Sequence, residues 1–148
     1  MLPSAASTAE SDGTTIELSS HSLVFPDGLV GCQAWKNFVL LTDDKEDLPV
    51  AYLQSLDEPH IRLLVTNPLL VENSYAAKLT EDDRASIELE PTDQSVLYCT
   101  LTVDAQGNIT ANLLGPLVVN PRTRRGRQLV LTESSYSTRH PVAQLQEA

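Results

Sequence analysis

The sequence predicts an all-β fold, a single-domain antiparallel β-barrel-like arrangement of about nine short strands with one short helix. Three observations point there. Short runs rich in Val, Leu, Ile, Thr and Tyr recur at close spacing; turn residues separate them; and no long helical repeat alternates with them. A chain of 148 residues is long enough to close one sizeable core, and no internal repeat or second domain interrupts it.

The strands follow in order. Thr15–Leu18 alternates apolar and polar residues, and Ser22–Phe25 runs into Pro26-Asp27-Gly28, a strong turn signal. Phe38–Leu41 comes next, broken by the acidic stretch Asp43–Asp47 and by Pro49. Val50–Ser55, Ile61–Thr66 and Val96–Val103 follow. Asp104 to Asn108 reads as a hairpin loop, because Gly107 and Asn108 tolerate positive φ. The last three predicted strands are Ile109–Leu114, Leu117–Val119 and Gln128–Thr132. The helix begins at Thr80, whose hydroxyl caps a first turn of Glu81, Asp82 and Asp83, and it runs no further than about Leu89 because Pro91 stops it.

Residues 1–14 are poor in large apolar side chains and are expected to be a disordered lead-in. The folded domain is placed at 15–142, with a C-terminal tail at 143–148. The start of the chain lacks the basic and apolar regions of a signal peptide, and no stretch reaches the roughly 18 apolar residues of a membrane span. A cytoplasmic location is expected. Cys32 and Cys99 are too few for a disulfide framework and read as free thiols that behave as small apolar groups.

Charge is unevenly spread. The formal net charge is −10, but residues 1–110 carry −13 and residues 111–148 carry +3. An acidic body repels nucleic acid and attracts basic proteins. The basic exception is Arg122, Arg124, Arg125 and Arg127. Four guanidiniums in so short a run are one way to bind phosphate, which makes a small RNA-binding β-module the alternative reading. No aromatic residue is interleaved to stack bases, so the simpler reading is a solvated turn bent at Gly126, its arginines paired with the acidic body.

Catalytic signatures are missing. His21, His60 and His140 form no metal-ligand spacing, and the nucleophile elbow, phosphate loop and dinucleotide turn are all absent. The paired carboxylates Asp43-Asp44 and Asp82-Asp83 fall in polar segments, where a solvated acid keeps its ordinary pKa and is a poor proton donor at neutral pH. The chain therefore reads as a binding protein, with no catalytic residue, cofactor or metal expected.

From Ile16 to the C-terminal tail the sequence resembles the flagellar assembly factor FliW family. The densest match is Thr110-Ala111-Asn112-Leu113-Leu114-Gly115-Pro116-Leu117-Val118-Val119-Asn120, followed by Thr123-Arg124-Arg125-Gly126-Arg127-Gln128 and by Ser135-Tyr136-Ser137-Thr138-Arg139-His140-Pro141. Earlier matches are Phe25-Pro26-Asp27-Gly28-Leu29-Val30-Gly31 and Leu53-Gln54-Ser55-Leu56-Asp57-Glu58-Pro59. Cys32 stands where the family commonly has Phe, and Tyr52 where it has Trp. Thr66-Asn67-Pro68 replaces Val-Asp-Pro.

The resemblance implies a partner switch. Such proteins bind the basic translational regulator CsrA and relieve its repression of flagellin mRNA; newly made flagellin then titrates them away. Direct nucleic-acid or membrane binding is not implied. Candidate partner-contact residues are Gln54, Asp57 and Asn67, which flank the strand pair between Val50 and Thr66, together with Asn112, Tyr136, Arg139 and His140. For Asn112 and Asn120 a structural use, capping a bulge within the strands, competes with partner contact. Tyr136, Arg139 and His140 could equally cover a strand edge.

Overall fold

Alternating burial along the chain builds a sheet that closes on itself. In the computed structural model, which describes residues 8–11, 14–17, 22–42 and 49–142, β1 (Thr8–Ser11) and β2 (Thr14–Glu17) form a separate two-stranded hairpin. Nine further strands share one sheet: β3 (Ser22–Val24), β4 (Asn37–Leu41), β5 (Val50–Ser55), β6 (Arg62–Thr66), β7 (Val96–Val103), β8 (Ile109–Ala111), β9 (Leu117–Asn120), β10 (Arg125–Gln128) and β11 (His140–Val142). A 3-10 turn at Pro68–Leu70 and one helix, α1 (Glu81–Ser86), lie in the connection between β6 and β7.

Sheet order is β11-β8-β7-β6-β5-β4-β3-β10-β9, and β9 returns to pair with β7. The seven strands from β7 round to β9 are thus a closed barrel, with β8 and β11 extending from its wall. The long β7 makes this possible by serving three neighbours in succession. It meets β9 over Val96–Tyr98, β6 over Cys99–Leu101 and β8 over Leu101–Val103. Pairing is antiparallel except where β10 meets β3 in parallel at Arg125 and Val24.

The barrel interior is filled by Phe25, Phe38, Leu53, Val65, Leu117 and Val119. Phe25 and Phe38 pack edge to face with centroids 5.5 Å apart, a favoured arrangement for aromatic quadrupoles. β9 is buried on both faces. Leu117 and Val119 point into the barrel, while Val118 packs outward against Ile87 and Leu129 beneath α1. A third cluster joins Tyr75, Cys99, Leu101, Ala111 and Leu113 on the side that carries β8. Cys32 and Cys99 are free thiols; burial pushes the Cys99 thiol up to about 12.

Sequence and structure differ in several places, one of them β11, where no strand was expected. The predicted strand Gln128–Thr132 is shifted, because the arginine-rich run itself is β10. The turn sits at Asn120–Arg124, closed by the Arg124 N–H donating to the Asn120 carbonyl at 2.7 Å, with Arg124 at φ 60°. Gly126, expected at the bend, lies in the strand opposite Val119. The strand expected over Ile109–Leu114 ends at Ala111, where the Asn112 side chain accepts from the Gly115 N–H and turns the chain.

The helix α1 stops at Ser86 rather than near Leu89. The Thr80–Asp83 capping box forms as the sequence implies. At the other end the Glu88 N–H donates to Ala85 and the Leu89 N–H to Arg84, a Schellman closure with Glu88 at φ 56° in the place usually held by glycine. Thr8–Ser11 is a strand within the stretch expected to be a disordered lead-in. The rest of that expectation falls on residues 1–7 and 12–13, and the tail on 143–148; both lie outside the described residues, as does the acidic stretch 43–48.

Gly126 is constrained by contact, not by φ. A Cβ there would stand 2.6 Å from two ring atoms of Phe25, the central aromatic of the barrel. Gly126→Ala is expected to cost about 1–3 kcal/mol, the usual range for overpacking a filled core. Urea unfolding measures it; a wild-type midpoint in the Ala variant would show that the Phe25 ring yields freely.

Candidate protein-interaction site

Asn120 ends β9 with no solvent exposure. Its amide donates to the Ile87 carbonyl at 3.0 Å and the Glu88 carbonyl at 3.2 Å, and its Oδ1 accepts from the Arg122 N–H at 3.0 Å. Thr123 adds its hydroxyl to Ile87, and Arg122 reaches the Glu88 carbonyl at 2.8 Å while its guanidinium pairs with Asp93 at 2.9 Å. The β9–β10 turn therefore clasps the end of α1. Hydrogen bonds from Arg122 hold the Asp93 carboxyl below its usual range.

Arg125 and Arg127 follow the same pattern. Arg127 bridges Asp27 and Asp83, each at 2.8 Å, tying the Phe25–Lys36 loop to α1. Arg125 stands 3.8 Å from Glu88. Guanidiniums already engaged by carboxylates are poorly placed to neutralise phosphates. The cluster is an internal fastening in which Arg122, Arg125 and Arg127 pair with the acidic body.

The candidate residues fall into separate places. Gln54 and Asp57 sit at one end of the β5–β6 hairpin. Gln54 donates to the carbonyls of Ser55, Pro59 and Ile61 and accepts from Arg62, so it closes the hairpin loop. Asp57 accepts from the Asn37 and Lys36 N–H groups, both at 2.8 Å, bonds that lower its pKa. Asn67 lies at the opposite end of β6 and caps the 3-10 turn by accepting from the Leu69 N–H.

Asn112, Tyr136, Arg139 and His140 are brought together beside β8. His140 pairs with Ala111, and the Leu113 N–H donates to Ser137. The Tyr136 ring stacks on Tyr75 at 4.6 Å, and its hydroxyl accepts from the Ala76 N–H at 3.0 Å. Tyr75 is buried and donates to the Leu113 carbonyl at 2.7 Å. Arg139 is exposed.

Next to this end lies a groove of about 410 Å³. One wall is the segment 76–80, and the other is Val130 to Ser134. Leu79 and Leu131 give it an apolar floor, Val130 is 54% exposed at its rim, and Lys78 and Glu133 stand on opposite sides. Sequence reasoning missed this feature. The signal was present in Leu129-Val130-Leu131, an apolar run in which the Leu129 and Leu131 N–H groups donate to the Pro116 and Leu114 carbonyls while the Val130 side chain is left exposed. Among the described residues no group of three or more His, Cys, Asp or Glu is placed to hold a metal, and no helix is long and apolar enough to cross a membrane.

The sequence profile of the FliW protein family matches residues 7–142. The chain belongs to the FliW family. Among FliW relatives, the flagellar assembly factor of Geobacter sulfurreducens is 35% identical over 120 residues, covering 80% of this chain and 74% of that protein. The one from Natranaerobius thermophilus is 32% identical over 130 residues, covering 86% and 85%. A crystal structure of the flagellar assembly factor FliW superposes with a TM-score of 0.80 at 29% identity, over 93% of this chain and 98% of that one. The barrel is thus the FliW fold.

The Asp93–Arg122 contact generates an acid-sensitivity test. Asp93 has a folded pKa below its unfolded one, so its contribution is present above the unfolded value and lost as pH falls through the folded one. Asp93→Asn should lower stability at pH 6 and shrink the loss between pH 6 and pH 3. Urea titrations at both pH values check it; an unchanged pH slope would place the acid sensitivity elsewhere.

Proposed function

We propose that this chain is a cytoplasmic flagellar assembly factor that works as a switchable protein clasp. It binds the translational regulator CsrA, relieves repression of flagellin translation, and is titrated away by newly made flagellin. The observation that carries the reading is the family match over residues 7–142 together with relatives named flagellar assembly factors.

The physical properties support a grip on proteins. A formal charge of −10 favours encounter with a basic regulator and disfavours RNA. The engaged arginines Arg122, Arg125 and Arg127 weaken the alternative of an RNA-binding module. A nanomolar complex needs about −12 kcal/mol, usually over roughly 1,600 Å² of buried surface. Exposed apolar side chains such as Val130, Leu69 and Leu56 can supply anchors, with acidic surroundings steering approach. We place partner contact at the end carrying Asn112, Tyr136, Arg139 and His140, with Gln54, Asp57 and Asn67 as further rim positions.

A gel-retention assay with flagellin leader RNA tests this. Adding the chain should abolish the CsrA–RNA shift, flagellin should restore it, and the chain alone should give no shift at physiological salt. A submicromolar complex between the chain and RNA would overturn the assignment. If the acidic body steers the encounter, the association rate with CsrA should fall as salt rises while dissociation changes much less, measurable by stopped flow.

A further inference from the structure

The segment from Tyr75 to Thr80 behaves as a strand that lacks a partner. Its side chains alternate strictly: Tyr75, Ala77 and Leu79 pack against the second and third core clusters, while Ala76, Lys78 and Thr80 face outward and are exposed. No turn, bend or helix interrupts it. Yet among the described residues nothing donates to or accepts from the main chain of Ala77, Lys78 or Leu79. Elsewhere in the fold, residues with this alternation are hydrogen-bonded into the barrel.

Direction follows from extended geometry. The Ala76 N–H donates to Tyr136, and two residues on in an extended chain the N–H and C=O point the same way. Lys78 therefore presents both groups toward the side where Tyr136 lies and where Leu131 to Ser134 form the opposite wall of the groove. The Tyr136 hydroxyl closes one end and the α1 cap, where the Thr80 N–H donates to Asp83, closes the other. Leu79, Leu131 and Val130 offer apolar contact between them.

We infer that this groove receives an extended segment of a partner polypeptide, added as a strand along residues 76–80. Main-chain hydrogen bonds to Lys78 supply the register, and an apolar side chain at alternate positions drops between Leu79 and Val130. Charge selects the flanks. Exposed Glu81 and Asp82 at one end and Glu133 on the far wall outweigh Lys78, so the incoming segment carries Lys or Arg beside its apolar positions. The inference does not depend on which protein supplies the segment.

The test uses the full chain and a phage library of random nine-residue peptides. Selected peptides should share alternating apolar positions with a basic flank. Binding of the best synthetic peptide should protect the amide of Lys78 in hydrogen exchange, while those of Ala77 and Leu79, which point away from the groove, change little. N-methylation at alternate peptide positions should abolish binding, and methylation at the intervening ones should spare it. Val130→Asp, at an exposed rim position, should weaken binding at least tenfold while leaving the melting temperature near wild type; Lys78→Glu should sharpen the preference for a basic flank. Four results would overturn the inference: no peptide enriched, protection elsewhere on the barrel, indifference to N-methylation, or protection that rises with protein concentration without peptide. The last would make a second copy of the chain the occupant.

Discussion

Asn120 sits where the barrel wall meets the connection that crosses it, and much of the remaining structure depends on its amide. Ile87 and Glu88 turn their carbonyls inward at the end of α1. A buried carbonyl without a partner costs about 1–3 kcal/mol, so this helix end can pack on β9 only if something there donates. Asn120 donates to both and accepts from Arg122, and among the described residues no buried side-chain nitrogen or oxygen is left unsatisfied. With the helix end fixed, Ile87 reaches Val118 and Leu129, which is why β9 is buried on both faces. Glu88 is then held in a left-handed conformation that disfavours any side chain, at a cost of about 1–2 kcal/mol. The clasp from Asn120, Arg122 and Thr123 offsets that cost.

The arginine cluster shows how the same residues change meaning once neighbours are known. An isolated exposed ion pair contributes about 0–1 kcal/mol, and a row of such pairs would say little about stability. Here the geometry differs. Arg122 engages both oxygens of Asp93 and a main-chain carbonyl together, and Arg127 joins carboxylates from two distant segments. Such forked contacts fix orientation as well as charge. The basic run thus closes the acidic body on itself, with Arg122, Arg125 and Arg127 set against Asp93, Glu88, Asp27 and Asp83.

Much of the fold was legible because strand alternation is a local property. Val50–Ser55 and Val96–Val103 were placed with their observed bounds, and the Thr80 cap was read from its hydroxyl and acids. The missed features depend on distant contacts. Nothing local says that Gly126 must slide past Phe25, so the glycine read as a bend and the apolar residues after it as the strand. Nor does Gln128 announce that its amide will donate to Gly115 and accept from Val30, ending β10 where Leu129 leaves for the helix-side core. At the candidate site, the polar residues picked from motifs are those that tie loops: Gln54, Asp57, Asn67 and Asn112 each hold main-chain groups. The groove was invisible because it forms between two segments distant in sequence, of which residues 76–80 run beside the other wall without pairing to it.

A closed barrel removes the sheet edges through which β proteins usually pair with other chains. In this chain the extension beyond the barrel ends at β11, where Pro141 lacks the donor that edge pairing needs. Closure therefore shifts any strand-type recognition away from the sheet and onto the connection between β6 and β7. That connection is fastened at both ends: Tyr136 grips Ala76, and the β9–β10 turn grips Ile87 and Glu88. Between those fastenings the backbone of residues 77–79 is straight, packed on one face and unpaired along its side. A rigid, preformed edge of this kind adds little ordering cost on binding, so even a short contact there can hold a partner reversibly.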